Sequence, residues 1–489
     1  MYHRLLSILL VLVAIACQAP KQKESSPFDE LTKLIDQYAR NSLAKGDINS
    51  LSIAVYKDGL VYQSYYGELD QGMGNTPNDE TLYEIGSLSK VFAGSLAARA
   101  VVDQKISLDD DIRLYLGDEY AHLELDGTPV RIHDLVTHTL GFDTPKGLAG
   151  IYDSLFAGAY QDMVIDYGMD DLLEELKSIE LSHKPGTNYA YSNAGPELVA
   201  YILEQVYGMP YSKLLTQFFD ELGLENTRLY DSRIHENRLS LGYTEGGQVA
   251  TLVKNPLLGG AGGVISTLPD LTKFMKYQLE STDPLVKEST RFLLQDEEDG
   301  LGYFWDLGIG DAEGFYYKKS GTTNGAETVV LVCPDSDYGV VMIMNNQSEA
   351  AVSDYEELFF RIENDLIEYP RINLWSLVED EFMTDPEKAA TRYRKLSEDK
   401  EAYHASSNYL NMVGYGLIYE GKVSKAIEVF LLAVSVDPDN ANLYDSLGEA
   451  YFLMEEYENS RENFERSLAL DPTNSNAEEY LLEIEKLLN

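Results

Sequence analysis

The chain has 489 residues, of which 44% are hydrophobic and 25% charged. That balance supports a globular fold and, at this length, two or three folding units instead of one core. Its formal charge of -44 repels phosphate backbones and excludes nucleic acid as a partner, while a solvated acidic surface is its plainest meaning.

In chain order, His3 and Arg4 precede an apolar run, Leu5 to Ala16 (LLSILLVLVAIA), that stops at Cys17. The run is too short to span a bilayer but suits a signal-peptide core. With small Ala16 before it, Cys17 resembles the lipidated cysteine of a bacterial lipobox, although Ala14 stands where leucine is commoner. The alternative is secretory cleavage near Ala16 or Ala19. Both imply export. A lipid on Cys17 further implies a membrane-anchored lipoprotein facing the periplasm or cell exterior, without a spanning helix. Residues 18–30 (QAPKQKESSP and the next three) read as a polar tether. Cys333 is the other cysteine; it ends the run TVVLVC and reads as a small buried hydrophobe, so the mature chain forms no internal disulfide.

A helix over LTKLIDQYARNSLA is followed by SLSIAVYKDGLVYQSYYGE, two alternating strands about an Asp58-Gly59 turn. Residues 83–102, YEIGSLSKVFAGSLAARAVV, then predict a helix that is apolar on nearly every side yet carries Lys90. An ammonium there is costly unless paired or neutralised. Three residues earlier stands Ser87, on the same helical face. A serine is a poor nucleophile without a base, and desolvation lowers a lysine's pKa, so a buried Lys90 can be that base. The helix N-terminus favours the negative charge that develops. The same spacing at Ser42/Lys45 and Ser397/Lys400 lies in polar segments and reads as chance.

His133 and His138 follow in VRIHDLVTHTLGF; without an HExxH pattern they read as helix and loop residues, with no metal site. Next, PGTNYAYSNAGPELVAYILEQVYG sets Tyr191, Ser192 and Asn193 just before another apolar helix. A tyrosine near cationic lysines can have its pKa lowered enough to shuttle a proton, and an asparagine amide can orient both a lysine and a substrate amide. The glycines from Gly259 to Gly263 lack a following Gly-Lys-Ser/Thr, so they form no phosphate loop and read as turns near a pocket mouth.

Few strands are expected until residue 302. Then FYYKKSGTTNGAETVVLV places Lys319-Ser320-Gly321-Thr322 on what reads as an edge strand, offering a cation, a hydroxyl and backbone N–H groups to a substrate. The runs within ETVVLVCPDSDYGVVMIMNN form two strands about a Pro-Asp-Ser-Asp-Tyr-Gly turn, and EAAVSDYEELFFRIENDLI a helix. Strands at both ends with helices between predict one sheet assembled from the two ends of a domain.

From residue 371 the pattern is helical, with an internal repeat. Gly414, Phe430 and Asp437-Pro438 recur as Gly448, Phe464 and Asp471-Pro472, each 34 residues on. This period and its Asp-Pro ending resemble the tetratricopeptide family. PEKAATRYRKL and NAEEYLLEIEKLL supply flanking helices, the second as a cap. Residues 401–489 carry 17 acidic against 5 basic side chains. The resemblance implies a concave face for a protein partner; padding of the preceding domain is the other possibility.

Taken together and in this order, Ser87-x-x-Lys90, Tyr191-Ser-Asn193 and Lys319-Ser-Gly321 resemble the serine β-lactamase and penicillin-binding protein superfamily over residues 30–368. VRIHDLVTHTLGF and LLGGAGGVISTLPDLTKFM resemble segments of its class C-like branch. The resemblance implies an α/β (α+β) fold, an antiparallel sheet flanked by helices with a helical domain, then an all-α repeat module. The expected units are 1–17 leader, 18–30 tether, 31–368 hydrolase, 369–404 helical connector and 405–489 repeats. It implies Ser87 as acylated nucleophile, Lys90 as base or relay, and Tyr191 as proton shuttle. Asn193 would hold substrate and Lys90, Lys319 would attract Tyr191 and a substrate carboxylate, Ser320 and Gly321 would line the substrate, and the N–H groups of Ser87 and Thr322 would form the oxyanion hole. No glutamate-bearing deacylation loop is identifiable. The expectation is an exported serine hydrolase without cofactor acting on D-amino-acid peptides or amides, esters or β-lactams. Its rival is a non-catalytic scaffold working through the repeats.

Overall fold

The computed structural model describes residues 26–156, 167–230, 238–250, 257, 259–296 and 299–488. The leader, Cys17 and most of the tether lie outside them. Among the described residues no helix is long and apolar enough to cross a membrane.

Helix α1 (Pro27–Lys45) starts inside the stretch read as tether. Ser26 accepts the Asp29 N–H, the Asp29 carboxylate accepts the Ser26 N–H, and Pro27 presets the first turn. Strands β1 (Ser50–Lys57) and β2 (Leu60–Gly67) form the expected hairpin, with φ of 49° at Asp58 and 82° at Gly59. Helices α2 (Ser89–Val102), α3 (Ala194–Tyr207) and α4 (Leu268–Glu280) lie between it and the remaining strands. Thr267 caps α4 by accepting the Asp270 N–H, but the Asp270 carboxylate turns to Asn226 and Thr227 instead of completing a capping box.

The later strands are β3 (Leu294–Asp296), β4 (Asp299–Gly302), β5 (Trp305–Gly310), β6 (Gly314–Thr322), β7 (Glu327–Cys333) and β8 (Tyr338–Met344). They join the hairpin in one antiparallel sheet ordered β2-β1-β8-β7-β6-β5-β4-β3. Its two sequence ends meet where β1 pairs β8, from Leu51 opposite Met344 to Lys57 opposite Tyr338. Both faces are covered. Ala54, Tyr56, Val330, Val332, Val341 and Ile343 pack in a core with α2, α3 and α4, whereas Leu51, Ile53, Val55, Leu331, Val340 and Met342 face α1 and α5 (Glu349–Glu368). Every residue of β1 and β8 is therefore buried, although the sheet is antiparallel. Cys333 is a buried free thiol.

The connector helices α6 (Leu374–Thr384) and α7 (Pro386–Leu396) lead to two helical pairs, α8 (Ser407–Tyr419) with α9 (Val423–Val436) and α10 (Ala441–Leu453) with α11 (Tyr457–Leu470), followed by α12 (Ser475–Leu488). The recurring glycines and phenylalanines are partners. A Cβ at Gly414 would lie 2.2 Å from the Phe430 ring and one at Gly448 would lie 2.9 Å from Phe464. Only glycine lets the paired helices approach that closely. The connector docks on α1 and α5, where the Tyr38 hydroxyl bonds with Asp365 and Ser376 and Arg361 forks onto Glu379 at 2.5 and 2.8 Å.

Candidate active site

Ser87 lies in a 3₁₀ turn, Gly86–Leu88, that runs straight into α2, and Lys90 is the second residue of the helix. The predicted spacing places Lys90 Nζ 2.9 Å from Ser87 Oγ. Lys90 has no exposed surface, and its other bond is to the Ala261 carbonyl at 2.8 Å. Burial, helped by the Lys319 charge and opposed by Glu197, holds its pKa well below the ordinary lysine value. The amine that the sequence makes costly is one whose charged form burial disfavours.

Tyr191 comes in on the loop before α3 and donates from its hydroxyl to Ser87 Oγ at 2.6 Å. The residue as a whole is 44% exposed, but its hydroxyl is turned onto Ser87. Its pKa is pushed up to about 12, by burial first and then by Tyr189 and Asp306, against the Ser87 bond. This reverses the sequence expectation of a lowered value. The first reason is burial, and the Lys319 charge, 5.6 Å from the Tyr191 ring centre, is already matched by Asp306 at 3.2 Å. A neutral amine and a protonated phenol thus flank the hydroxyl. In that state the phenol donates to Ser87 and the serine proton is free to point at the Lys90 lone pair.

Strand β6 supplies the opposite wall. It is not an edge strand, because β5 and β7 pair on its two sides. However, β5 covers it only as far as Lys318, so Lys319–Thr322 keep β7 on one side and leave the other edge open toward Ser87. There the backbones touch. A Cβ at Gly86, whose φ is +50°, would lie 2.5 Å from the Thr322 carbonyl oxygen, and one at Gly321 would lie 2.0 Å from that of Ile85. Two glycines thereby let the Gly86–Ser87 turn lie directly against the Gly321–Thr322 backbone. Since both obstacles are backbone, Gly321→Ala should cost about 1–3 kcal/mol of stability and lower the acylation rate about 10²-fold, as loss of an aligned oxyanion donor does. Thermal melts and stopped-flow labelling of the variant check both numbers.

Other predicted residues fall differently. The pleat of β6 buries Lys319 and Gly321 and exposes Ser320 and Thr322. Ser320 lines a separate cleft of about 290 Å³ with Tyr355 and Phe359, on the α5 side of the sheet. The Thr322 hydroxyl bonds Glu327, so only the Thr322 backbone faces Ser87. Asn193, half-buried at the start of α3, makes no capping bond, and Lys90 is held by the Ala261 carbonyl instead of by the Asn193 amide.

Three contributors escaped the sequence. Asp306 pairs with Lys319. Ala261 takes part through its carbonyl, delivered by a loop whose Gly259 and Gly263 have φ of 90° and 86°. His138, read as a loop residue, has φ of 58° and a buried ring 4.7 Å from that of Tyr191. Its carbonyl accepts the Ala190 N–H at 2.8 Å and its Nδ1 the Ser192 N–H at 3.2 Å, so it pins the Tyr191 loop from below. Burial above all, with the Lys319 charge adding to it, depresses its pKa to about 3, which keeps it neutral. A histidine three residues before a Gly-Phe pair carried no sign of this contact.

A family model described as Beta-lactamase matches residues 35–359. The chain belongs to the β-lactamase family. Beyond this β-lactamase domain, a tetratricopeptide repeat model matches residues 441–474. Protein flp of Staphylococcus aureus (strain N315) is 25% identical over 344 residues, covering 68% of this chain and 66% of that protein, so the chain spans just under two thirds of that relative's length. A β-lactamase of Providencia stuartii is 24% identical over 351 residues, 64% of this chain and 86% of that one. Among solved structures, a class C β-lactamase shares the fold of the β-lactamase domain with a TM-score of 0.59 at 21% identity, covering 69% of this chain and 97% of that chain. An octameric penicillin-binding protein homologue from Pyrococcus abyssi has a TM-score of 0.57 at 21% identity, over 68% and 77%.

Proposed function

We propose that the protein is an exported serine hydrolase that forms an acyl-enzyme on Ser87, with D-amino-acid peptides or amides as its first substrate class, then esters, then β-lactams. One observation carries this reading: Ser87 Oγ stands between a dry lysine amine at 2.9 Å and a phenol at 2.6 Å. In acylation Lys90 takes the serine proton, Oγ attacks the substrate carbonyl carbon, and the oxyanion is received by the N–H groups of Ser87 and Thr322. Tyr191 gives its proton to the departing amine or alcohol. That leaves an ammonium and a phenolate, with Lys90 Nζ 5.0 Å from the Tyr191 ring centre. In deacylation the phenolate takes a proton from water as the water oxygen attacks the acyl carbonyl carbon, the bond from that carbon to Oγ breaks, and Lys90 returns its proton to Oγ. The cycle closes with every proton accounted for.

Lys319, buried and close to Tyr191, favours substrates that carry a carboxylate. A carboxylate-bearing D-peptide fits this, and a solved neighbour of the same fold is titled a β-lactamase/D-alanine carboxypeptidase from Yersinia pestis. The apolar run before Cys17 supports export and lipid anchoring, and the acidic repeats support docking of a basic protein segment.

Labelling with fluorescent penicillin and with fluorophosphonate, read by intact mass, tests the chemistry. Native protein is expected to gain one adduct and Ser87→Ala none. Failure of every β-lactam, ester and fluorophosphonate to acylate native protein would leave a scaffold acting through its repeats.

A further inference from the structure

The Ala261 carbonyl that holds Lys90 is itself held. The Ala261 N–H donates to Glu197 Oε1 at 2.9 Å, and the Gly259 N–H donates to Oε2 at 3.2 Å. Glu197 lies in the first turn of α3, four residues after Asn193, and is fully buried. Between its two bonds, Gly260 is packed so closely that a Cβ would lie 2.1 Å from the Pro196 carbonyl oxygen. The loop from Gly259 to Ala261 is therefore clipped to the head of α3, with both oxygens of Glu197 acting as acceptors, as a carboxylate's do.

A lysine that accepts the serine proton becomes an ammonium with no exposed surface of its own. Without an opposing charge, that ammonium is expensive at the moment of reaction. The groups facing Lys90 are Lys319 from β6, Tyr191 and His138 from their loops, and Glu197 from α3. Tyr211, on the helix Tyr211–Leu222, faces Glu197 from the other side. Lys319 opposes the new charge, and the phenol and the imidazole are neutral in the resting site. Of these groups, the one that favours an ammonium at position 90 is Glu197.

We propose that Glu197 is a positioning residue of the acylation step: it clamps the Gly259–Ala261 loop so that the Ala261 carbonyl directs Lys90 at Ser87, and its negative charge balances the ammonium that forms there. The proposal rests on the serine-hydrolase reading above. It explains how one amine is both neutral at rest and a competent base. Burial and Lys319 pull its proton affinity down, Glu197 pulls it back up, and a base works best when its pKa lies near the working pH.

The test compares native protein with Glu197→Gln, which keeps the volume and one acceptor oxygen but removes the charge. The rate of Ser87 acylation is followed against pH, and Lys90 is titrated by the 13Cε shift of labelled lysine. The acid limb is expected to move down by about 1 pH unit, with a plateau about tenfold lower and the Lys90 titration moving by the same amount. A purely structural brace would lower the rate without moving either. Coincident limbs and an unmoved Lys90 titration overturn the proposal. Should Glu197→Gln not fold, the reciprocal variant decides: in Lys90→Met the Glu197 carboxyl titration, read by 13Cδ, should move up, and an unmoved one overturns the proposal. Both titrations report even on a protein that no probe acylates, so they stand apart from the fate of the hydrolase reading.

Discussion

Lys90→Met is expected to lower the rate of Ser87 acylation about 10³-fold while making the protein more resistant to heat. The first effect follows from removing the base: a positioned general base contributes roughly 10²- to 10⁴-fold, and methionine of similar length cannot accept a proton. The second follows from where Lys90 sits. Its amine is enclosed by α2 and the glycine loop, and its pKa in the folded protein is held well below the value in an unfolded chain. Between that depressed value and about 10.4 the unfolded chain binds the extra proton, so native stability climbs as pH rises through the window; below it the cost is complete. Methionine abolishes the cost. The variant should therefore melt above the native protein at neutral pH, by an amount of order 1 kcal/mol or about 2 °C, and the gap should close as pH approaches 10. Melting curves across pH check the sign. A variant that melts below native protein at pH 7, or whose advantage grows with pH, contradicts a dry and uncharged lysine.

Lys319→Ala is expected to lower kcat/KM about 10²-fold for substrates that carry a carboxylate and less than about tenfold for neutral esters. A hydrogen bond to a charged group contributes about 1.5–3 kcal/mol, or roughly 10- to 150-fold, and only carboxylated substrates make this one. Asp306 is left without its cation, but its side chain is 39% exposed and water can replace the lost partner. The pH profile carries a second signature. The Lys319 charge disfavours protonation of Lys90, so removing it should raise the Lys90 pKa and move the acid limb of acylation upward, opposite to the shift expected for Glu197→Gln. Paired assays on a D-alanyl-D-alanine peptide and a p-nitrophenyl ester separate the cases. Equal losses on both substrates would remove Lys319 from carboxylate recognition.

Much of this was legible because it is periodic or local. The Asp58-Gly59 hairpin follows from turn chemistry, and the repeat from a recurring glycine and phenylalanine that turn out to touch. The spacing of Ser87 and Lys90 fixes their shared helix face. What escaped depends on the chain's path through space. Ala261 acts by its backbone carbonyl, which no side chain announces. Glu197 and Asp306 look like any acidic residues until burial and a neighbour give them work. The sequence predicts an edge strand around Lys319; in fact β5 stops short of Lys319, which opens the same backbone without exposing the whole strand. Counting nearby lysines predicts a Tyr191 that ionises easily, whereas burial pushes its pKa up and Lys319 is already matched by Asp306.

The docking of the connector also redraws the unit that must fold together. Arg361 is a nearly enclosed guanidinium whose fork partner, Glu379, lies past the last strand and the last hydrolase helix, and Tyr38 reaches across to Ser376 in the same way. A fragment cut at residue 368 would leave the Arg361 guanidinium with Glu357 alone and the Tyr38 phenol with Asp365 alone, at a newly exposed face. In physical terms the unit that holds the β-lactamase domain together ends beyond α7, and the connector shares one apolar core with the repeats that follow it.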